Sequence, residues 1–144
     1  MKDQTILVTG GAGYIGSHAC LELLQAGFKV VVVDNLANSK VESLTRVQQL
    51  AGKTLTFYQA DIRDKQALTD IFAKEAPDTV IHFAGLKAVG ESCALPQLYY
   101  HNNVYGTLVL TEVMSAANVK QLVFSSSETA VSYTHLTLPT ICSV

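Results

Sequence analysis

The residues best suited to chemistry lie near the N-terminus, where Thr9-Gly10-Gly11-Ala12-Gly13-Tyr14-Ile15-Gly16 satisfies both G-x-G-x-x-G and G-x-x-G-x-x-G. Each glycine has a physical task. Gly10 permits a tight turn, Gly13 lets backbone N–H groups approach a pyrophosphate, and Gly16 lets the following helix pack close to the preceding strand. An anion held there faces a helix N-terminus, which carries roughly half a positive charge. Asp34 follows at about the 20-residue interval of a dinucleotide fingerprint, at the end of a second apolar run. Its carboxylate would accept hydrogen bonds from ribose hydroxyls and repel a 2'-phosphate, and Asn35-Leu36-Ala37 supply no Arg to neutralise one. NAD is therefore expected over NADP. The plainer alternatives are an ordinary strand-to-helix turn for the glycines and a strand-end cap for Asp34.

Such a loop must be carried by alternating strands and helices, and the sequence supplies them. Apolar runs occur at Ile6-Leu7-Val8, Val30-Val31-Val32-Val33, Leu55-Thr56-Phe57-Tyr58, Val80-Ile81-His82-Phe83 and Leu122-Val123-Phe124. Strands apolar on both faces suit a parallel sheet covered by helices on each side. Helical patterns run from Ile15 to Ala26, Val41 to Leu50, Lys65 to Lys74 and Leu98 to Ala117. Gly27, Gly52 and Pro77 close the first three, and Leu108, Leu110, Val113 and Met114 form the apolar face of the last. Right-handed crossovers then predict a doubly wound α/β fold, a Rossmann sheet of about five strands in the order 3-2-1-4-5. The ligand crevice is expected between the first and fourth strands. Residues 1–130 read as one dinucleotide-binding domain.

Composition narrows the partners. The 144 residues are 49% hydrophobic with a net charge of -2, which favours one globular core and gives no electrostatic reason to expect nucleic acid or an anionic membrane. No apolar stretch approaches the ~20 residues of a spanning helix, and the N-terminus lacks a signal-peptide core, so a cytoplasmic chain is expected. Cys20, Cys93 and Cys142 are widely spaced, without a CxxC pair or a His at ligand spacing. Neither a metal site nor a disulfide is expected.

The G-x-x-G-x-x-G spacing resembles the extended short-chain dehydrogenase/reductase family. Three further segments look like its UDP-glucose 4-epimerase branch: Asp34-Asn35-Leu36-Ala37-Asn38-Ser39, His82-Phe83-Ala84-Gly85-Leu86-Lys87-Ala88-Val89-Gly90-Glu91-Ser92, and Phe124-Ser125-Ser126-Ser127. The resemblance runs from Ile6 to about Thr129 and implies roles residue by residue. Tyr14 and Ile15 would sit beside the pyrophosphate, Asp34, Asn35, Asn38 and Ser39 around the adenosine, and Asp61 and Ile62 at the adenine. Phe83, Ala84, Gly85, Lys87 and Asn102 would line the rest of the NAD, and Ser127 would bond the sugar hydroxyl and assist proton transfer. Read alone, Asp61 is a loop cap, Phe83 a core residue, Asn102 a helix-surface amide, Lys87 a solvated charge and Ser127 a turn serine beside an unusual Glu128. His82 reads as a packed strand residue.

By the same resemblance, the parent protein interconverts UDP-hexoses at C4 in galactose metabolism and is a homodimer. Its acid/base is the Tyr of a Tyr-x-x-x-Lys pair, whose Lys lowers the Tyr pKa toward working pH. None of Tyr14, Tyr58, Tyr99, Tyr100, Tyr105 and Tyr133 has a Lys four places on. The resemblance thus implies an N-terminal fragment in which residues 1–130 are a truncated cofactor domain and the substrate domain is absent, so that the chain keeps a cofactor site without activity. Alternatives left open are another nucleotide-sugar enzyme such as a 4,6-dehydratase and a non-catalytic NAD-sensing regulator. From Val131 the wording changes: Val131-Ser132-Tyr133-Thr134-His135-Leu136-Thr137-Leu138-Pro139-Thr140 looks like one frame through a transposase adaptor used in sequencing libraries. Residues 131–144 are accordingly expected to be a non-native tail, the alternative being a divergent strand.

Overall fold

The computed structural model of the chain describes residues 4–126. Ser127 and the tail 131–144, both singled out in the sequence, lie outside the described residues. Five strands run β1 (Thr5–Thr9), β2 (Lys29–Asp34), β3 (Thr56–Gln59), β4 (Thr79–His82) and β5 (Gln121–Phe124). They pair in parallel in the order β3-β2-β1-β4-β5, as the sequence pattern predicts. Between them lie α1 (Tyr14–Gln25), α2 (Val41–Ala51) and α3 (Lys65–Glu75). The last crossover is built from α4 (Val89–Ala94), α5 (Pro96–Tyr99), a π-helical turn (Tyr100–Tyr105) and α6 (Gly106–Ala116).

The strand sequences explain the layering. Side chains alternate between faces along a strand, so the run Val30 to Val33 serves two cores at once. Val31 and Val33 join Leu7 and Val80 against Leu68, Ile71 and Phe72 of α3 and Val109, Leu110, Val113 and Met114 of α6. Val30 and Val32 join Ile6 and Val8 against Cys20 and Leu24 of α1 and Leu44 and Val47 of α2. A polar residue on either side of β2 would face a helix. Each fully buried Val or Leu contributes about 1.5–3 kcal/mol, which makes these central strands the stable base of the site.

Local signals set the helix ends. Gly52 closes α2 in the left-handed conformation at φ 65°, and the Asp64 side chain caps α3 by accepting from the Ala67 N–H at 3.1 Å. Two expectations are corrected. The helix read from Leu98 to Ala117 is not one regular helix, because it changes to π geometry at Tyr100 and returns to α geometry at Gly106. Leu108, expected to face the sheet, points outward and is 56% exposed, because within α6 it lies two positions, about 200°, round the helix from Leu110. Leu110, Val113 and Met114 do pack on the sheet.

Candidate functional site

The glycine loop leaves β1 through Gly10 at φ 69°, a conformation that favours glycine. Its N–H donates to the Val33 carbonyl at 2.8 Å, which pins the turn to the end of β2, and its carbonyl accepts from the Gly13 N–H at 3.2 Å. Space is also decisive. A Cβ on Gly10 would lie 2.7 Å from the Ala84 nitrogen, and one on Gly16 would overlap the Gly10 carbonyl oxygen. Gly16 therefore lets α1 close down on the turn itself. Gly11 is equally constrained, since a Cβ there would meet the Val32 side chain at 2.7 Å and Cys20 Sγ at 3.2 Å. Sequence reasoning gave Gly11 no packing role; its neighbours come from β2 and α1, which only the fold brings together. Burial pushes the Cys20 thiol up to about 12, so it acts here as an apolar filler beneath the loop.

Asp34 is buried and ties three segments together. Its Oδ2 accepts from the Ala12 N–H at 3.1 Å, and its Oδ1 from the Leu36 N–H at 2.8 Å and the Ser39 hydroxyl at 3.0 Å. Asn35 repeats the local pattern by accepting from the Ala37 N–H at 3.0 Å. These side-chain turns bend the chain after β2 back over the glycine loop. Beyond them, Asp61 is gripped on both oxygens by Arg63, at 2.9 Å from Nε and 2.7 Å from a terminal nitrogen, and Asn35 donates to it at 3.4 Å. The hydrogen-bonded guanidinium holds the Asp61 carboxyl down at about 2.

A cleft of about 350 Å³ opens where β1 and β4 diverge. Gly10, Gly13, Asp34, Asn35, Asn38, Ser39, Ile62, Phe83, Ala84, Gly85 and Asn102 line it, so most residues singled out in the sequence converge there. Tyr14 and Ile15 do not line it; their side chains are exposed at the start of α1, where what they offer an anion is first-turn backbone N–H. Gly16 and Asp61 flank the cleft without lining it, and Lys87 is exposed outside its lining. The wall also includes Arg63, Leu86, Glu91 and Leu98. Arg63, Glu91 and Leu98 were not singled out as site residues: Arg63 lies two positions after Asp61, and Glu91 receives the Tyr99 hydroxyl at 2.6 Å.

His82 is buried at the end of β4, as a packed residue, and both ring nitrogens have hydroxyl partners: Thr9 at 2.5 Å from Nδ1 and Thr107 at 3.0 Å from Nε2. Burial lowers its pKa to about 4, so the imidazole is neutral. Among the described residues, no cluster of three or more His, Cys, Asp or Glu could hold a metal, and no helix is long and apolar enough to cross a membrane.

The cleft fits a nucleotide cofactor on structural grounds. Carboxylates stand at the ends of β2 and β3, a helix N-terminus follows β1, and added Cβ atoms would fill the close approaches around the turn. Comparison with known proteins agrees. The model of the NAD dependent epimerase/dehydratase family matches residues 6–139. A UDP-glucose 4-epimerase of Bacillus subtilis is 60% identical over 126 residues, spanning 88% of this chain and 37% of that protein. Among solved structures, the UDP-glucose 4-epimerase of Bifidobacterium longum in complex with NAD+ and UDP superposes with a TM-score of 0.88 at 52% identity, covering 95% of this chain and 41% of that one. The enzyme of Stenotrophomonas maltophila with bound NAD and formylated UDP-arabinopyranose gives 0.86 at 48% identity, covering 88% and 38%. The chain thus spans about two fifths of the length of these relatives.

Proposed function

The chain belongs to the NAD dependent epimerase/dehydratase family, and from that premise we propose that it is the NAD-binding front part of an isomerase that inverts a UDP-hexose at C4. The observation that carries this reading is the hydrogen bond that joins the glycine turn to Asp34 inside one cleft. Asp34 and Ser39 hold the adenosine ribose, Asp61 and Ile62 face the adenine, and the first turn of α1 with Gly13 holds the pyrophosphate. Phe83, Ala84, Gly85, Lys87 and Asn102 then attend the nicotinamide half. When bound, NAD supplies a hydride acceptor and donor. Ser127 bonds the sugar hydroxyl in the whole protein. Because none of the six tyrosines is followed four places on by Lys, the chain alone binds cofactor without turning over UDP-galactose.

The whole protein works in the cytoplasm as a homodimer on this proposal, and the outward apolar face of Tyr100, Val104, Tyr105 and Leu108 supports a subunit contact. Residues 131–144 are adaptor read-through, which resequencing the source DNA with a different adaptor tests. Titration of the 144-residue chain with NAD+ and NADP+ tests the cofactor assignment: saturable NAD+ binding, at least tenfold tighter than NADP+, supports it. Tighter NADP+ binding, or measurable epimerisation by the chain alone, overturns the corresponding claim.

A further inference from the structure

Asn103, beside the cleft residue Asn102, grips the backbone of Leu86 with both ends of its carboxamide. Its Oδ1 accepts from the Leu86 N–H at 2.8 Å, and its Nδ2 donates to the Leu86 carbonyl at 2.9 Å. Asn102 adds a donor to the same Oδ1 at 3.0 Å. A two-point contact of this kind fixes both the position and the rotation of one peptide segment, where a single bond would leave it free to swing.

The clamp is itself anchored to the sheet. Thr107 donates its hydroxyl proton to the Asn103 carbonyl at 2.6 Å. That leaves its oxygen to accept from His82, so Nε2 carries the imidazole proton and Nδ1 accepts from the Thr9 hydroxyl. Thr9 Oγ1 in turn accepts from the Ala84 N–H at 3.3 Å. The loop after β4 is therefore held at Ala84 from β1 and at Leu86 from the π turn, with His82 joining the two supports. Sheet order gives this loop its place in the cleft. Asp61 follows β3, Asp34 ends β2, Gly10 follows β1, and Ala84 follows β4. A dinucleotide with its adenosine at Asp34 and its pyrophosphate at the glycine turn must lay its second half against the loop that Asn103 holds.

We propose that Asn103 is a positioning residue: by clamping the Leu86 backbone it sets the cleft wall for the nicotinamide half of the cofactor and leaves the adenosine half untouched. The proposal rests on the dinucleotide reading above. It differs from a general stability role in splitting the two halves of the ligand. The test uses the 144-residue chain, its N103A and N103D variants, NAD+ and ADP as ligands, and amide exchange in the free chain. N103A should weaken NAD+ about tenfold or more while ADP affinity stays within twofold. N103D keeps an acceptor for the Leu86 N–H but loses the donor to its carbonyl, so its NAD+ affinity should fall between those of N103A and the parent chain. The Leu86 amide should exchange slowly in the parent chain and fast in N103A. Unchanged NAD+ affinity, equal weakening of NAD+ and ADP, or undiminished protection at Leu86 overturns the proposal. If the parent chain binds neither ligand, the dinucleotide reading fails and the positioning role fails with it, whereas failure of the ligand split alone leaves that reading standing.

Discussion

The backbone N–H of Ala12 donates to Oδ2 of Asp34 across 3.1 Å, so the phosphate turn and the ribose carboxylate form one mechanical unit although 22 positions separate them. Ala12 is 3% exposed, and its N–H loses this partner if the carboxylate goes. Asp34→Ala should therefore cost both fold and ligand. A buried donor left unpaired costs about 1–3 kcal/mol, read as a lower urea midpoint at unchanged slope. NAD+ affinity should drop more than tenfold and the preference over NADP+ should narrow, because the charge that repels a 2'-phosphate is gone. Asp34→Asn, which keeps one acceptor, should lose less stability than Asp34→Ala. Unaltered cofactor discrimination in Asp34→Ala would remove Asp34 from the ribose site.

Asp61 offers a pH experiment with a defined sign. Its hydrogen-bonded partner Arg63 lowers its carboxyl from the usual 3.8 to about 2 in the folded chain. A depressed carboxyl pKa contributes stability that is fully present above the unfolded value and is lost as pH falls through the folded one. The stabilisation from this pair should thus be intact above about pH 4 and fade toward about pH 2. In Arg63→Met, the Asp61 carboxyl carbon should titrate by NMR near the ordinary carboxylate range. Its stability deficit relative to the parent chain should shrink over the same acid window. A wild-type Asp61 midpoint near 4 would refute the pairing.

Gly16 tests the steric half of the site independently of charge. A methyl group there meets the Gly10 carbonyl oxygen, a backbone atom that cannot move without disturbing the turn. Overpacking typically costs 1–3 kcal/mol, and Gly16→Ala should lie at or above the top of that range, about 3 kcal/mol. Binding of ADP should fall with it, because α1 would be pushed away from the turn that its N-terminus serves. Gly90→Ala is the control, since no atom lies within 4 Å of a Cβ added there. Equal melting temperatures for the two variants would show that the close approach at Gly16 does not constrain the turn.

The part of this site visible in the sequence is the part written in local spacing. Gly10, Gly13, Gly16 and Asp34 follow from one turn and one strand end, and the apolar run Val30 to Val33 announces a strand covered on both faces. Phase was harder to read. Leu108 reads as inward from its apolar character, yet it stands two positions, about 200°, round the helix from Leu110, so the two cannot share one face. Asn103 carries no mark in the sequence, because its partner Leu86 is 17 positions away and neither residue type nor spacing signals that pairing. Arg63 escaped because its role is to hold another side chain.

His82 gives the final test, with the opposite pH logic to that of Asp61. Burial lowers its pKa from 6.5 to about 4, so between those values the unfolded chain binds a proton that the folded chain does not. Stability contributed by the neutral, doubly bonded ring is complete above about pH 6.5 and is lost as pH falls toward 4. The steepest loss is about 1.4 kcal/mol per pH unit, on the order of 3 kcal/mol across the window. Other groups titrate in the same range, so the measurement is a difference. His82→Gln keeps an amide donor and acceptor for Thr107 and Thr9 but cannot be protonated. It should be less stable than the parent chain at pH 7.5, because a flexible amide replaces a planar ring packed beside Phe124. That deficit should narrow as the pH drops to 4.5, since only the parent chain carries the imidazole penalty. A deficit constant across the range would mean that His82 titrates alike in the folded and unfolded chains, and one that widens toward pH 4.5 would mean that the fold holds the ring protonated, so that Nδ1 donates to Thr9 instead of accepting from it.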